Sequence, residues 1–243
     1  MPEVAVSGSS DDTNVKRSIQ LADDLKQEGN EHFRAKRWDE ALAAYRTALG
    51  QLPKRAASSS AKGKHPEGPD EPEGEGDGDS VALSETSAKG DISNLSDSEK
   101  ESAKARSILN ANIGACYGDH KEAVASCSEA LHDDPSYVKA LQRRATSNEH
   151  LDTWSSLSSA QEDYNTLLTL LPPSSAQTGD IRRSLLQLKP RIEAAQKKET
   201  EEMMGKLKDL GNTVLGKFGL STDNFKFEPN GQGGYSMNFV QSP

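Results

Sequence analysis

Residues 107–170 read SILNANIGACYGDHKEAVASCSEALHDDPSYVKALQRRATSNEHLDTWSSLSSAQEDYNTLLTL. Apolar residues recur here at the three- and four-residue spacing of amphipathic helices, in four blocks. Ile108, Leu109, Ile113 and Tyr117 make the first; Ala123, Val124, Cys127 and Leu131 make the second, closed by Pro135. Val138, Leu141 and Ala145 make the third; Leu157, Ala160, Tyr164, Leu167 and Leu168 make the fourth, closed by Pro172 and Pro173. Proline lacks an N–H and clashes with the preceding turn, so each pair of blocks ends there. The stretch predicts two consecutive helix hairpins.

The same pattern lies upstream. Leu21, Leu25 and Phe33, then Trp38, Leu42, Tyr45 and Leu49, predict a hairpin over 19–35 and 38–51, ended by Pro53. Aligned on a small residue, the three second helices repeat. Ala41, Ala123 and Ala160 are followed four residues later by Tyr45, Cys127 and Tyr164, and three further on by Ala48, Ala130 and Leu167. The first helices carry Gly29, Gly114 and Ala145 at equivalent places. Small residues let two helices approach, a large one fills the gap, and proline stops the unit. The spacing between the two small residues shrinks in the second unit (Gly114 to Ala123) and grows in the third (Ala145 to Ala160). In the second unit either the YGDHK turn is short, with a piece missing, or the first helix ends early.

These residues resemble the tetratricopeptide repeat, a helix–turn–helix unit of about 34 residues. The resemblance implies an all-α solenoid of three repeats, over 19–54, 105–137 and 138–173. Ile181, Leu185, Leu186 and Leu188 predict a capping helix, and Pro190 either kinks it or starts another. Capping and C-terminal helices are expected over 178–220. Phe225 and Phe227, then PNGQGG, then Tyr235, Met237 and Phe239 predict a β-hairpin tail over 221–243. Its aromatic face is expected to pack on the long helix or on a partner, since an isolated hairpin is marginal. Trp38 and Trp154 are expected to be packing residues.

The bulk composition fits this division. Of 243 residues, 33% are hydrophobic and 28% charged, too polar for one core throughout. Residues 66–101 hold twelve acidic residues and two lysines, a net charge of −10 against −9 for the whole chain. Such a segment cannot bury enough surface to offset its ordering entropy, so 55–104 is read as a disordered acidic insertion and 1–18 as a disordered N-terminus. Ser96 and Ser98, in NLSDSEKE, are candidate phosphorylation sites for an acid-directed kinase. The acidic balance argues against nucleic acid as a partner. No apolar run approaches a membrane span, and the N-terminus lacks a signal-peptide pattern; a cytoplasmic protein without membrane contact is expected. Cys116 and Cys127 fall in helical patterns, which suits packing rather than metal or redox chemistry. The five histidines show no ligand spacing, no catalytic set emerges, and no cofactor is expected.

The first helix of each repeat is where binding chemistry gathers. Lys26 and Asn30 stand at i and i+4 and share a face. Asn112 is on the first helix of the second repeat. Lys139 and Arg143, again i and i+4, are on that of the third. Lysine and arginine give charge-assisted bonds to carboxylates, and asparagine adds neutral donors, a set suited to a C-terminal aspartate. The segments KQEGN (26–30), ANIGACY (111–117) and KALQR (139–143) look like the dicarboxylate clamp of chaperone-binding tetratricopeptide domains. That resemblance implies a non-enzymatic adaptor gripping the acidic EEVD-type tail of Hsp70 or Hsp90. The segment from Gly205 to the end is similar to the tail of the cytosolic adaptors called tetratricopeptide repeat protein one. This implies a second reading, a scaffold for signalling proteins such as G-protein subunits or small GTPases that uses the groove or the tail.

Overall fold

The structure is a computed structural model and describes residues 8–55, 96–229 and 235–240, without side chains at 8–11, 227–229 and 235. Among the described residues there are seven α-helices and one two-stranded sheet. The helices are α1 Gly8–Arg34, α2 Trp38–Gln51, α3 Asp97–Cys116, α4 His120–Asp133, α5 Val138–Leu151, α6 Trp154–Leu170 and α7 Ala176–Leu215. By packing they form two units. One holds α1, α2, α3, the later part of α4 and the first turn of α5; the other holds the start of α4, the rest of α5, α6, α7 and the tail.

All twelve aligned repeat positions are buried. Ala41, Ala48, Cys127, Ala130, Ala145, Ala160 and Leu167 are wholly so; Tyr45, Ala123 and Tyr164 nearly so; Gly29 and Gly114 lie in the same class. The reason for glycine at 29 is direct. A Cβ there would sit 2.5 Å from Cε1 of Tyr45, well inside van der Waals contact. The Tyr45 hydroxyl then donates to Asn30 Oδ1 at 2.8 Å. In the third repeat Tyr164 donates across the same fifteen-residue interval to Glu149 Oε1, at 2.5 Å. The chain thus folds as successive helix hairpins joined by small-residue seams, as the repeat pattern predicts.

In the first unit Ala22, Tyr45, Leu52, Leu109 and Ile113 form the centre of the core. Two arginines meet one buried carboxylate beside it. Arg55 donates to Asp133 through Nε (2.9 Å) and Nη2 (2.7 Å), and to Glu129 through Nη1 (2.6 Å). Arg106 donates to Asp133 Oδ1 from Nε and Nη2, and to the Pro53 carbonyl at 2.9 Å. Asp133 holds the Arg55 guanidinium above its ordinary pKa. A carboxylate that is 3% exposed is tolerable because both oxygens are paired.

In the second unit Arg144 clasps buried Asp163 with two bonds, 2.9 and 2.6 Å. Burial nonetheless pushes the Asp163 carboxyl upward, with Arg144 opposing. Burial also lifts the Tyr164 phenol to about 12, helped by Glu149. Thr153 caps α6, its hydroxyl accepting from the Ser156 N–H in a reciprocal capping box. α7 covers this hairpin with Ile181 and Leu188. Arg191 fastens it to the end of α5, donating to the Glu149 carbonyl at 2.8 Å and to Asp152.

The structure departs from the sequence reading in several places. α1 starts at Gly8, well before 19, because Val15, Ile19 and Ala22 continue one helical face. α3 starts at Asp97, inside the span assigned to the insertion; the rest of that acidic segment lies outside the described residues. The connection between α3 and α4 is three residues, Tyr117 to Asp119, as long as that between α1 and α2. It is α3 that ends early, two residues past Gly114, whereas α1 runs five past Gly29. Asp119 then caps α4, accepting from the Lys121 N–H at 2.7 Å. The long third repeat is explained by α6, which begins six residues before Ala160. Pro190 neither stops nor starts a helix: α7 is continuous over 40 residues, and the missing N–H simply leaves the Leu186 carbonyl without its helical donor. Leu186 itself is 78% exposed, because only Ile181, Leu185 and Leu188 share the docked face. Trp38 and Trp154 are 43% and 41% exposed; each opens the second helix of its hairpin, and Phe33 packs edge-on with Trp38.

The tail hairpin pairs β1 Phe225–Pro229 with β2 Tyr235–Phe239, antiparallel, Phe225 opposite Phe239. The 230–234 turn lies outside the described residues. A short turn, Thr222–Asn224, ties the hairpin to α7. Asn212 Oδ1 accepts from the Thr222 N–H and hydroxyl, and Lys208 pairs with Asp223 at 2.8 Å. The expected cover for the aromatic face is missing at β2, where Met237 and Phe239 are 60% and 52% exposed.

Candidate functional site

The clamp candidates fall on the helices that the sequence assigns them. Lys26 and Asn30 are one turn apart on α1, both half-buried. The Lys26 ammonium pairs with Asp23, one turn earlier. Asp23 also accepts from Gln27 Nε2 at 3.0 Å. Lys26, then Gln27, hold the Asp23 carboxyl below the usual carboxylate range. Beside Ile19 and Ala22, Lys26 lines a small recess against Ala105, Ile108 and Leu109 of α3. Asn30 Oδ1 accepts from the Tyr45 hydroxyl, which orients the amide and leaves its NH2 as the donor end.

Asn112 is half-buried on α3, four residues past Ile108 and so on the face that meets the Lys26 recess. Lys139 is exposed in the first turn of α5. Lys26, Asn30, Asn112 and Lys139 all belong to the first unit. Arg143, half-buried one turn after Lys139, belongs to the second. Its neighbour Arg144 is the one bound by Asp163; the two consecutive arginines therefore divide, Arg144 to the core of its hairpin.

Asp23 was not singled out by sequence, although an acid three residues before a lysine on one helix is the signal for it. A second pairing, His120 stacked on His150 with centroids 4.3 Å apart and planes at 7°, left no trace in sequence spacing. Among the described residues no group of three or more His, Cys, Asp or Glu side chains is placed to hold a metal ion, and no helix is long and apolar enough to cross a membrane. Ser96 is the N-cap of α3, its Oγ accepting from the Glu99 N–H while Glu99 accepts from the Ser96 N–H. The Ser98 hydroxyl lies 3.3 Å from Asp12 of α1.

No protein-family profile matches the chain. Among curated proteins it is similar to sperm-associated antigen 1 of Rattus norvegicus, 29% identical over 174 residues; the match covers 70% of this chain but only 14% of that protein's length. Among solved structures it is similar to the first tetratricopeptide domain of Spaghetti (RPAP3) bound to the HSP90 peptide SRMEEVD. The TM-score is 0.43 with 20% identity, covering 70% of this chain and 96% of that one. It is also similar to the C-terminal tetratricopeptide-containing domain of a Plasmodium falciparum FK506-binding protein. There the TM-score is 0.47 with 22% identity, covering 75% and 95%.

Proposed function

We propose that the chain is a peptide-binding adaptor that grips an acidic C-terminus, of the EEVD type carried by Hsp70 and Hsp90, through Lys26, Asn30, Asn112, Lys139 and Arg143. The observation that carries this reading is the state of α1. Lys26 and Asn30 stand one turn apart, and Tyr45 fixes the Asn30 amide as a donor. Asn112 follows on the neighbouring helix. A terminal aspartate offers two carboxylates close together; cationic and amide donors complement them, and each bond to a charged group contributes about 1.5–3 kcal/mol. The Asp23 contact already holds the Lys26 ammonium in place, at the cost of competing with the ligand for it.

Calorimetric titration tests the reading. The peptide SRMEEVD, which the Spaghetti domain holds, should bind in the micromolar range, roughly −8 kcal/mol. Its C-terminally amidated form should bind at least about tenfold more weakly, one carboxylate being lost. Asn30→Ala and Lys139→Ala should each weaken binding by about ten- to a hundredfold. Unchanged affinity in both variants rules the clamp out.

A further inference from the structure

Beyond Glu199, which accepts from the Trp154 N–H at 2.7 Å, α7 leaves its unit, and every residue from Glu201 to Leu210 is exposed. Yet the solvated end of α7 carries Met203, Leu207, Leu210 and Val214, which are 70%, 61%, 63% and 55% exposed, with Met204, 61% exposed, beside them. Their spacing of four, three and four is that of heptad core positions in the order d, a, d, a. The described residues of the returning tail leave them exposed. The Thr222–Asn224 turn packs on a different side of the helix, at Lys208, Gly211 and Asn212.

We propose that this stripe is a seam through which two copies of the chain pair, α7 against α7, antiparallel. A second copy is the occupant the residues specify, because the stripe is its own mirror image. About the midpoint between Leu207 and Leu210, each Leu207 meets the other copy's Leu210, and each Met203 meets Val214. Every layer then sets a d position against an a position, a self-complementary, two-fold contact. The flanks agree: Lys206 falls opposite Thr213, and no like charges face each other. The overlap also ends without a polar layer, since α7 stops at Leu215, whose mirror position is Glu202. A parallel pair would instead continue the seam upstream to the a position at Glu193, carboxylate against carboxylate. Eight large side chains burying on the order of 100 Å² each make a contact at the low end of specific interfaces, hence a weak and reversible dimer.

Sedimentation velocity on the full chain, from roughly 1 to 200 µM, tests this. The expected result is a monomer shifting reversibly to dimer as concentration rises. The double variant Leu207→Asp/Leu210→Asp should remain monomeric with unchanged helical circular dichroism, since both side chains are exposed. A chain that stays monomeric throughout, or a double variant that still dimerises, overturns the proposal. Orientation is read by mild oxidation, with the parent chain giving the background from Cys116 and Cys127. Met203→Cys mixed with Val214→Cys should give a linked dimer, and Met203→Cys alone should not. Linkage by Met203→Cys alone overturns the antiparallel arrangement.

Discussion

Asp23 sets how available Lys26 is. Its carboxylate takes the ammonium one turn away and is held ionised by it, so an incoming carboxylate must share or displace it. Lysine has three N–H donors, and sharing leaves two for a ligand. Asp23→Asn removes the competing charge while keeping a side chain of the same shape. It should tighten binding of SRMEEVD by about two- to tenfold, the worth of one hydrogen bond near the surface, as read by calorimetry. Weaker binding would mean that Asp23 chiefly positions Lys26. The five clamp candidates could be named from sequence because Lys26 and Asn30, and Lys139 and Arg143, stand at i and i+4 on first helices, and their segments and that of Asn112 resemble a known motif. Asp23 was not, because its role depends on one rotamer contact rather than on the repeat.

At the scale of elements, the seams between paired helices decide stability. Gly29 lies flat against the Tyr45 ring, while Gly50, in the last turn of α2, has nothing within 4 Å of where its Cβ would be. Gly29→Ala should therefore destabilise the chain by about 1–3 kcal/mol through overpacking. Gly50→Ala should stabilise it slightly, by up to about 1 kcal/mol, through helix propensity alone. Urea denaturation distinguishes the two signs. Hairpin existence was readable from periodicity and from small residues, and all twelve aligned positions are buried. Helix ends were less so. α1 reaches back to Gly8 on Val15 and Ile19, two apolar residues in a polar stretch, and α7 runs through Pro190. Propensity argues for a break at each place, but continued packing of one face, at Ile19 and Ala22 in α1 and on both sides of Pro190 in α7, overrides it. The tryptophans mislead for the converse reason: a large apolar residue at the first position of a helix has too little structure above it to be covered.

At the scale of the whole chain, most of the acidic run lies outside the described helices. Nine of the twelve acidic residues of 66–101 fall between Arg55 and Ser96, and Asp97, Glu99 and Glu101 are on α3. Arg55 on one side and Arg106 on the other converge on Asp133, while α1 and α2 pack directly against α3. Closing a loop costs only about 0.6 kcal/mol for each doubling of its length. The chain length in this interval is therefore almost neutral for stability.

That buried carboxylate with two arginines has a further consequence: covalent continuity should be dispensable between Arg55 and Ser96. Two polypeptides, 1–55 and 96–243, produced from separate genes in one cell, should find each other and co-purify with the helical content of the intact chain. Asp133→Ala in the longer piece should prevent recovery of the pair. Asp133 would then act as a non-covalent splice between the two pieces.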